Sequence, residues 1–440
     1  MAMIDRIIQG WRSLKLFLAL QRGNEQQARN ILQEIRRSKT ELSGLEKLFQ
    51  DKLETDYQLK QKQKEISGLK QQLKSFSQLD SFPSEFDFRE EKLIIPDRNI
   101  IARITQQFNL IESDDNLIQC TGIDADIFNN LELNLSRFIE DEFQQMSQRN
   151  NFEKSLKEAV EDLNGLKFGE DPEYSFELSP YVYFLRYFLT NVYGAYLAWF
   201  LIYKTGLLPK HLNILDIAAG PGTMIYGLDL FLRSNYQGMN SSEFKIAYYS
   251  LEKQAKFQYR GLQFWRRYVE QQLQPTNAYF RFDTCDLLGD KSNFDKMPKD
   301  FFDFIIISHC FFYQRQLRQK ANTNFKYIFN RCLQTDGYVL FIVQDKKLFQ
   351  GFNLRHRQDY HLEYNVIRSF IEEIGLKLVW YKYLTSTGIS EQMTPAEFGK
   401  FAREKLPYQP YIHPIFQKYF KLNQHISYAI DDYMILAQQR

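Results

Sequence analysis

The sequence is poor in residues that staple or ligate. Its four cysteines, Cys120, Cys285, Cys310 and Cys332, lie far apart with no C-x-x-C pair. That spacing suggests neither a structural zinc site nor a disulfide framework, and it fits a reducing, cytoplasmic compartment. No H-x-x-x-H motif or carboxylate cluster points to a metal. An excess of one charge is also missing: 56 Lys and Arg stand against 54 Asp and Glu, for a formal net charge of +2. A globally basic nucleic-acid binder is therefore not indicated, although a local patch stays open. Long apolar runs are missing too. Leu14–Leu20 is short, carries Lys15 and has no small-residue cleavage site. Phe188–Tyr203 holds Thr190, Asn191 and Gly194 and falls short of the ~20 residues a spanning helix needs. The expectation is a soluble chain without a transmembrane segment.

What is present is apolar and aromatic. Residues of apolar type make up 44% of the chain, with 38 Phe and 27 Tyr. A length of 440 residues suits two or three domains with a large core. Residues 1–76 read as a helical, coiled-coil-like module. From 24 to 76 there is no proline, and Leu45, Leu59, Ile66 and Leu73 share a seven-residue comb that Lys52 interrupts. Ile35, Leu42 and Phe49 share a second comb, and the shift near residue 50 resembles a stutter. Such a helix packs on its own protein, dimerises, or grips a partner. Residues 1–75 hold fifteen Lys and Arg against nine Asp and Glu, either a solvated face or a weak contact with an anionic partner. Ile4, Ile7, Ile8, Trp11, Leu14 and Leu18 have helical spacing, as a docking or a membrane-surface helix would.

Turn formers around Pro83 mark a boundary, and 77–178 reads as a mainly helical linker domain. Residues 179–205 form an aromatic helical pair through Tyr183, Tyr187, Tyr193, Tyr196, Trp199 and Tyr203. It either lids a ligand or packs the core. After Pro209 the period changes. Leu212–Ile217 is a short apolar strand, two glycines follow it, and Thr223–Leu232 looks helical. Further strands are expected at Phe244–Leu251, Ala278–Phe282, Phe302–Ser308 and Tyr338–Val343, with a helix over Ala255–Gln272. This alternation predicts an α/β fold with a parallel, doubly wound sheet that binds ligands at its carboxyl edge. Asp216, Glu252, Asp286 and His309 all fall there.

The stretch D-I-A-A-G-P-G, Asp216 to Gly222, resembles the first motif of class I S-adenosylmethionine-dependent methyltransferases. Ala218 stands where the family has its first glycine, while Gly220 and Gly222 match. F-D-F-I-I-I-S-H-C-F-F (302–312) is similar to the family's fourth strand and its edge, and L-Q-T-D-G-Y-V-L-F-I-V (333–343) to its turn and fifth strand. The resemblance covers about 200–385 and the final strand. It implies a Rossmann-like methyltransferase sheet, mostly parallel with an antiparallel last strand, over 179–440. Leu376–Leu384 would be strand six and Ser427–Ala437 strand seven, with an insertion at about 386–424 over part of the active-site mouth.

The resemblance implies S-adenosyl-L-methionine as cofactor. Asp216, Ala218, Gly220, Pro221 and Gly222 would form its first contact, with Asp216 organising the loop. Glu252 would hold the ribose hydroxyls and Asp286 rather than Asp283 the adenine amino group, with Ser308 a further cofactor-binding residue. A dinucleotide is the competing ligand. The P-G pair does not fit G-x-G-x-x-G, and Glu252 lies 36 residues after Asp216, beyond the ~20 usual at nicotinamide sites. His309 is a candidate general base, or a residue bonding backbone beneath the pocket. Tyr313 is a candidate for the acceptor pocket, and Cys310 reads as packing. Arg355, Arg357 and Arg368, with His356 and His361 nearby, would meet an anionic substrate or form a solvated face.

The acceptor is not legible. N-P-P-[YF], the family's mark of amino-group acceptors in nucleic acid and glutamine, is lacking after the fourth strand, which leaves a small molecule or a protein side chain ahead. The aromatic helix followed by G-P-G-T also resembles small-ribosomal-subunit methyltransferase-like proteins, whose cysteine cluster is absent here. The alternative to an enzyme is a scaffold or assembly factor acting through its N-terminal helices.

Overall fold

The computed structural model describes residue 31 and residues 93–113, 115–165, 172–235, 244–354, 359–388, 393–422 and 425–440. The chain divides into two units, Met1–Phe86 and Asp87–Arg440. The coiled-coil-like stretch 24–76 lies outside the described residues except for Ile31, which is helical, and so does Ile4–Leu18.

The second unit opens with α1 (Arg98–Gln107), β1 (Leu110–Glu112), β2 (Leu117–Cys120), α2 (Ala125–Met146) and α3 (Phe152–Asn164). Then come α4 (Ser179–Tyr183), a π-helical turn (Phe184–Phe188) and α5 (Leu189–Lys204). The alternating part runs β3 (His211–Ile217), α6 (Thr223–Ser234), β4 (Lys245–Glu252), α7 (Ala255–Tyr268), β5 (Ala278–Thr284), β6 (Phe302–Ser308), α8 (Arg315–Cys332) and β7 (Leu333–Gln344). It ends with α9 (Asp345–Gly351), α10 (Tyr360–Glu373), β8 (Leu376–Thr385), α11 (Pro395–Lys405), α12 (His413–Ile415) and β9 (Asp431–Gln439).

The strand order is β1-β2-β8-β9-β7-β6-β3-β4-β5. Strands β3 to β7 run parallel, and β9 lies antiparallel between β7 and β8. The mostly parallel sheet with a reversed last strand is therefore observed. From β3 the chain winds outward through β4 and β5, then restarts at β6 on the other side. That switch point leaves a crevice at the carboxyl ends of β3 and β6.

Both sheet faces are buried, which explains why the strands read as continuous apolar runs rather than alternating ones. Ile214, Phe304, Ile306, Leu340 and Ile342 face one core, with α5, α6 and α7. Leu215, Ile305, Ile307, Val339 and Phe341 face the other, with α8 and α10. The apolar run Phe188–Tyr203 is neither lid nor membrane span along most of its length: thirteen of the sixteen residues of α5 are buried, so it is a core helix apolar on all sides. Among the described residues no helix is long and apolar enough to cross a membrane.

Two expectations change. The stretch read as a helical linker contributes the β1–β2 hairpin, and β2 pairs in parallel with β8, so it extends the sheet. The insertion between β8 and β9 does not reach the crevice in its described residues. It clasps α2 instead: the buried Glu132 carboxylate accepts the N–H groups of Tyr411 and Ile412 at 2.6 and 2.9 Å, Lys418 pairs with Glu140, and Tyr419 stacks edge-on against Phe143. A long loop rich in Pro and Tyr is drawn to the apolar side of a neighbouring helix because that removes its rings from water.

Candidate functional site

The site grows from the turn after β3. Between Ile217 and Thr223, residues Ala218, Gly220 and Gly222 adopt left-handed φ values of 56°, 55° and 88°. Glycine does this freely, whereas alanine does so against the contact of its Cβ with the following carbonyl. The turn is bonded on several sides. Ala219 N–H donates to Leu251 O at 3.2 Å, Gly222 N–H to Ala219 O at 2.8 Å, and Gly220 N–H to the Glu252 carboxylate at 2.9 Å. The other Glu252 oxygen accepts from Gln254 N–H at 2.9 Å. The acid at the tip of β4 thus fixes the glycine turn at the tip of β3. A Cβ built on Gly220 would meet no protein atom within 4 Å, so this backbone faces open space.

Beneath the turn, Asp216 is almost fully buried. One of its oxygens accepts from Tyr248 O–H and the other has no partner. Burial pushes its carboxyl up to about 7, with Glu252 adding to the rise and Tyr248 opposing it. The unfolded carboxyl titrates near ~3.9. Between these values the folded state keeps a proton that the unfolded state has released. Stability is therefore greatest below the unfolded value and is lost as pH rises through the folded one. The cost at pH 8 is on the order of 2–4 kcal/mol. Asp216→Asn should remove most of that slope. Urea midpoints of wild type and variant at pH 5 and pH 8 check this, and equal slopes would contradict it.

The open space is a cavity of about 910 Å3. Ala218, Gly220, Glu252, Asp286, Ser308 and His309, all expected at a ligand site, line it. Asp286 is held by Lys253 at 3.2 Å and by Leu288 N–H at 2.9 Å. Asp283, its competitor, is not among the lining residues; its backbone carbonyl takes a bond from Gln258. Asp216, Pro221 and Gly222, also expected at the ligand, are not among the lining residues. Tyr313 sits beyond the wall, where its carbonyl accepts from Arg318 at 3.4 Å. Cys310, expected to be packing, is partly buried against the second core and also lines the cavity.

Across from the turn, Tyr183, Tyr187 and Asn191 line the cavity. Tyr187 lies within the π-helical turn and Tyr183 and Asn191 on either side of it, and Asn191 Nδ2 donates to the Tyr183 hydroxyl oxygen at 2.7 Å. The aromatic stripe therefore splits. Its first turns face the cavity, while Tyr193, Tyr196, Trp199 and Tyr203 pack inside. His309 follows β6 with a left-handed φ of 55°, tied through its N–H to Ile342 O at 2.8 Å. A strained backbone of this kind persists only where its surroundings over-determine it. Burial and then the Lys347 ammonium pull the imidazole down to about 4, so it is neutral at physiological pH. Asp432 lies 3.9 Å away, beyond hydrogen-bond reach, and burial pushes its carboxyl well above the usual range. With its conjugate acid held down to about 4, this imidazole is a weaker general base than an ordinary histidine, though it still exchanges hydrogen bonds.

Three contributors were not legible in the sequence. Gly261 on α7 packs its backbone against Pro221. Gln344 and Lys347 enter the cavity from the β7–α9 junction, and 172–175 form its outer rim. The position of Lys347, just past a strand's carboxyl end, was the available signal. Arg355, His356 and Arg357 lie outside the described residues, and Arg368 pairs with Glu372 at 3.0 Å on an exposed face.

No family model and no curated protein matches the chain. Solved structures similar to it include an S-adenosylmethionine-dependent methyltransferase from Methanosarcina mazei, at 12% identity over 53% of this chain and 94% of that one, with a TM-score of 0.29. A TehB-like methyltransferase from Corynebacterium glutamicum follows at 12%, 57%, 98% and 0.25 in the same measures. A loganic acid methyltransferase gives 9%, 52%, 85% and 0.29. In strand order, in its one reversed strand and in the glycine turn after its central strand, residues 211–440 have the Rossmann-like fold of class I methyltransferases.

Proposed function

We propose that the chain is an S-adenosylmethionine-dependent methyltransferase acting on a small molecule or a protein side chain. The observation that carries this reading is the bond from Gly220 N–H to Glu252, beside backbone that opens into the cavity. It sets a close-approach turn and an acid acceptor side by side at the switch point. Glu252 would take the ribose hydroxyls, Asp286 the adenine amino group, and the turn from Ala218 to Gly222 the amino-acid end. Bound there, the cofactor supplies a methyl group already activated as a sulfonium. The chain's own work is then to align the acceptor and exclude water. Tyr183, Tyr187, His309 and Gln344 also line the cavity and would help to do this.

Ala218 is the departure that would favour a non-catalytic scaffold. Its backbone nevertheless takes the left-handed form a glycine would take there. Ala218→Gly relieves about 1 kcal/mol of strain and costs a similar amount in chain entropy. We expect stability within ~1 kcal/mol of wild type and unchanged cofactor affinity, read by urea unfolding and calorimetry. A large loss in either would mean that the alanine methyl has a role of its own.

The direct test is calorimetric titration with S-adenosylmethionine and S-adenosylhomocysteine. Micromolar binding to both supports the reading. A well-folded protein that binds neither refutes it and returns attention to the scaffold alternative.

A further inference from the structure

Roughly half of the 910 Å3 cavity would be filled by the cofactor at interior packing density, leaving room in the same cavity for a ring-bearing acceptor. Its walls combine the rings of Tyr183, Tyr187, Phe311 and Phe312 with the polar side chains of His309, Gln344 and Lys347. Lys347 is nine-tenths buried. The other charged residues lining the cavity are Glu173 on the outer rim and Glu252, Lys253 and Asp286 on the cofactor side. Close behind the His309 wall, Asp345 is bonded by Tyr383 O–H at 3.3 Å and Asp431 by Thr385 at 2.6 Å, while Asp432 is buried. None of these three carboxyls is among the lining residues.

Resting on the methyltransferase reading, we propose that the acceptor is the carboxylate of a small aromatic or similarly ring-bearing acid, seated between Lys347 and His309. In the step this implies, a carboxylate oxygen attacks the methyl carbon in line with the sulfur. The new C–O bond forms as the C–S bond breaks, and the sulfur leaves with the bonding pair as a neutral thioether. Anion and sulfonium disappear together, giving a neutral methyl ester, and no proton moves. Nothing in the step calls for a base, which agrees with an imidazole that stays neutral and donates its one ring N–H to the carboxylate. Annihilation of opposite charges is favoured in a water-poor cavity, where a separated pair is poorly solvated. An alkylammonium acceptor would instead meet the Lys347 charge and need a base to lose its proton.

The test begins with full-length protein saturated with S-adenosylhomocysteine, titrated with 3-phenylpropanoate and with 3-phenylpropanamide. The acid should bind at least ~10-fold more tightly, by the ~1.4 kcal/mol expected of one charged hydrogen bond. Lys347→Met should erase that preference, and Lys347→Arg should keep part of it, each measured on folded protein that still binds S-adenosylhomocysteine. In parallel, labelled methyl donor and a small-molecule extract should yield label released by alkali as methanol, at a rate nearly flat from about pH 6 to 9. Equal or tighter binding of the amide, no binding of the acid, a preference that survives Lys347→Met, or label only in alkali-stable products would overturn the proposal. Each of these outcomes leaves cofactor binding intact, whereas failure of the parent reading shows as no binding of S-adenosylhomocysteine at all.

Discussion

Gly261→Ala is expected to weaken cofactor binding by ~100-fold or more and to lower stability by about 3 kcal/mol, or roughly 3–4 °C in Tm for a chain of this length. Helix propensity alone predicts the opposite sign. Gly261 lies inside α7, where replacing glycine with alanine should stabilise by ~0.5–1 kcal/mol. Packing reverses this. A Cβ on Gly261 would sit 2.1 Å from the carbonyl oxygen of Pro221 and 2.9 Å from its Cα. Those atoms are backbone of the glycine turn and cannot swing aside as a long side chain does. Either α7 moves outward or the turn moves toward the cavity. The first opens the core where Tyr226 O–H reaches Gly261 O at 2.8 Å, and the second disturbs the Gly220 bond to Glu252. Thermal unfolding and calorimetry on one preparation distinguish the two. A variant more stable than wild type with normal affinity would show that the close approach carries no function.

The second large effect concerns Glu252. Glu252→Ala should reduce affinity for S-adenosylhomocysteine by ~100- to 1,000-fold, since two hydrogen bonds to a charged acceptor contribute ~3–4 kcal/mol. The residue works twice. It would accept from the ligand's hydroxyls, and it holds Gly220 and Gln254 N–H in place beforehand. Glu252→Gln keeps the shape and one acceptor, so it should fall between wild type and alanine. Burial raises the Glu252 carboxyl above its ordinary value, with backbone N–H groups opposing the rise. Acceptance needs the ionised form, so affinity should decline as pH falls through that raised value. Calorimetry at several pH values measures it. A loss below ~5-fold in Glu252→Ala would remove Glu252 from the site.

Much of the sheet could be read in advance because buried parallel strands are written as short apolar runs closed by turn residues. Phe302–Ser308 was legible at both ends, since Asp300 and the switch to Ser-His-Cys bracket it. Strand β7 was read too short. Leu333–Gly337 contains Thr335, Asp336 and a glycine, which look like a turn, but the strand runs through them. The final strand was placed too early by four residues, because Ser427–Ile430 has strand composition but approaches β9 as an irregular segment.

The sequence by itself determined the doubly wound sheet, the turn that carries Gly220 and Gly222, and the acids at the strand tips, because each is a local pattern with one physical solution. Tertiary structure alone decided which aromatic residues face the cavity: Tyr183 and Tyr187, at the π-helical turn, border it while packing against the core that Tyr193 and Tyr196 fill. It alone sent the 386–424 insertion to α2, brought Gly261 under the glycine turn, and set Lys347 beside His309. These meetings join residues 38 to 280 positions apart. No period or turn signal encodes them, because they follow from how helices and strands pack once each has formed.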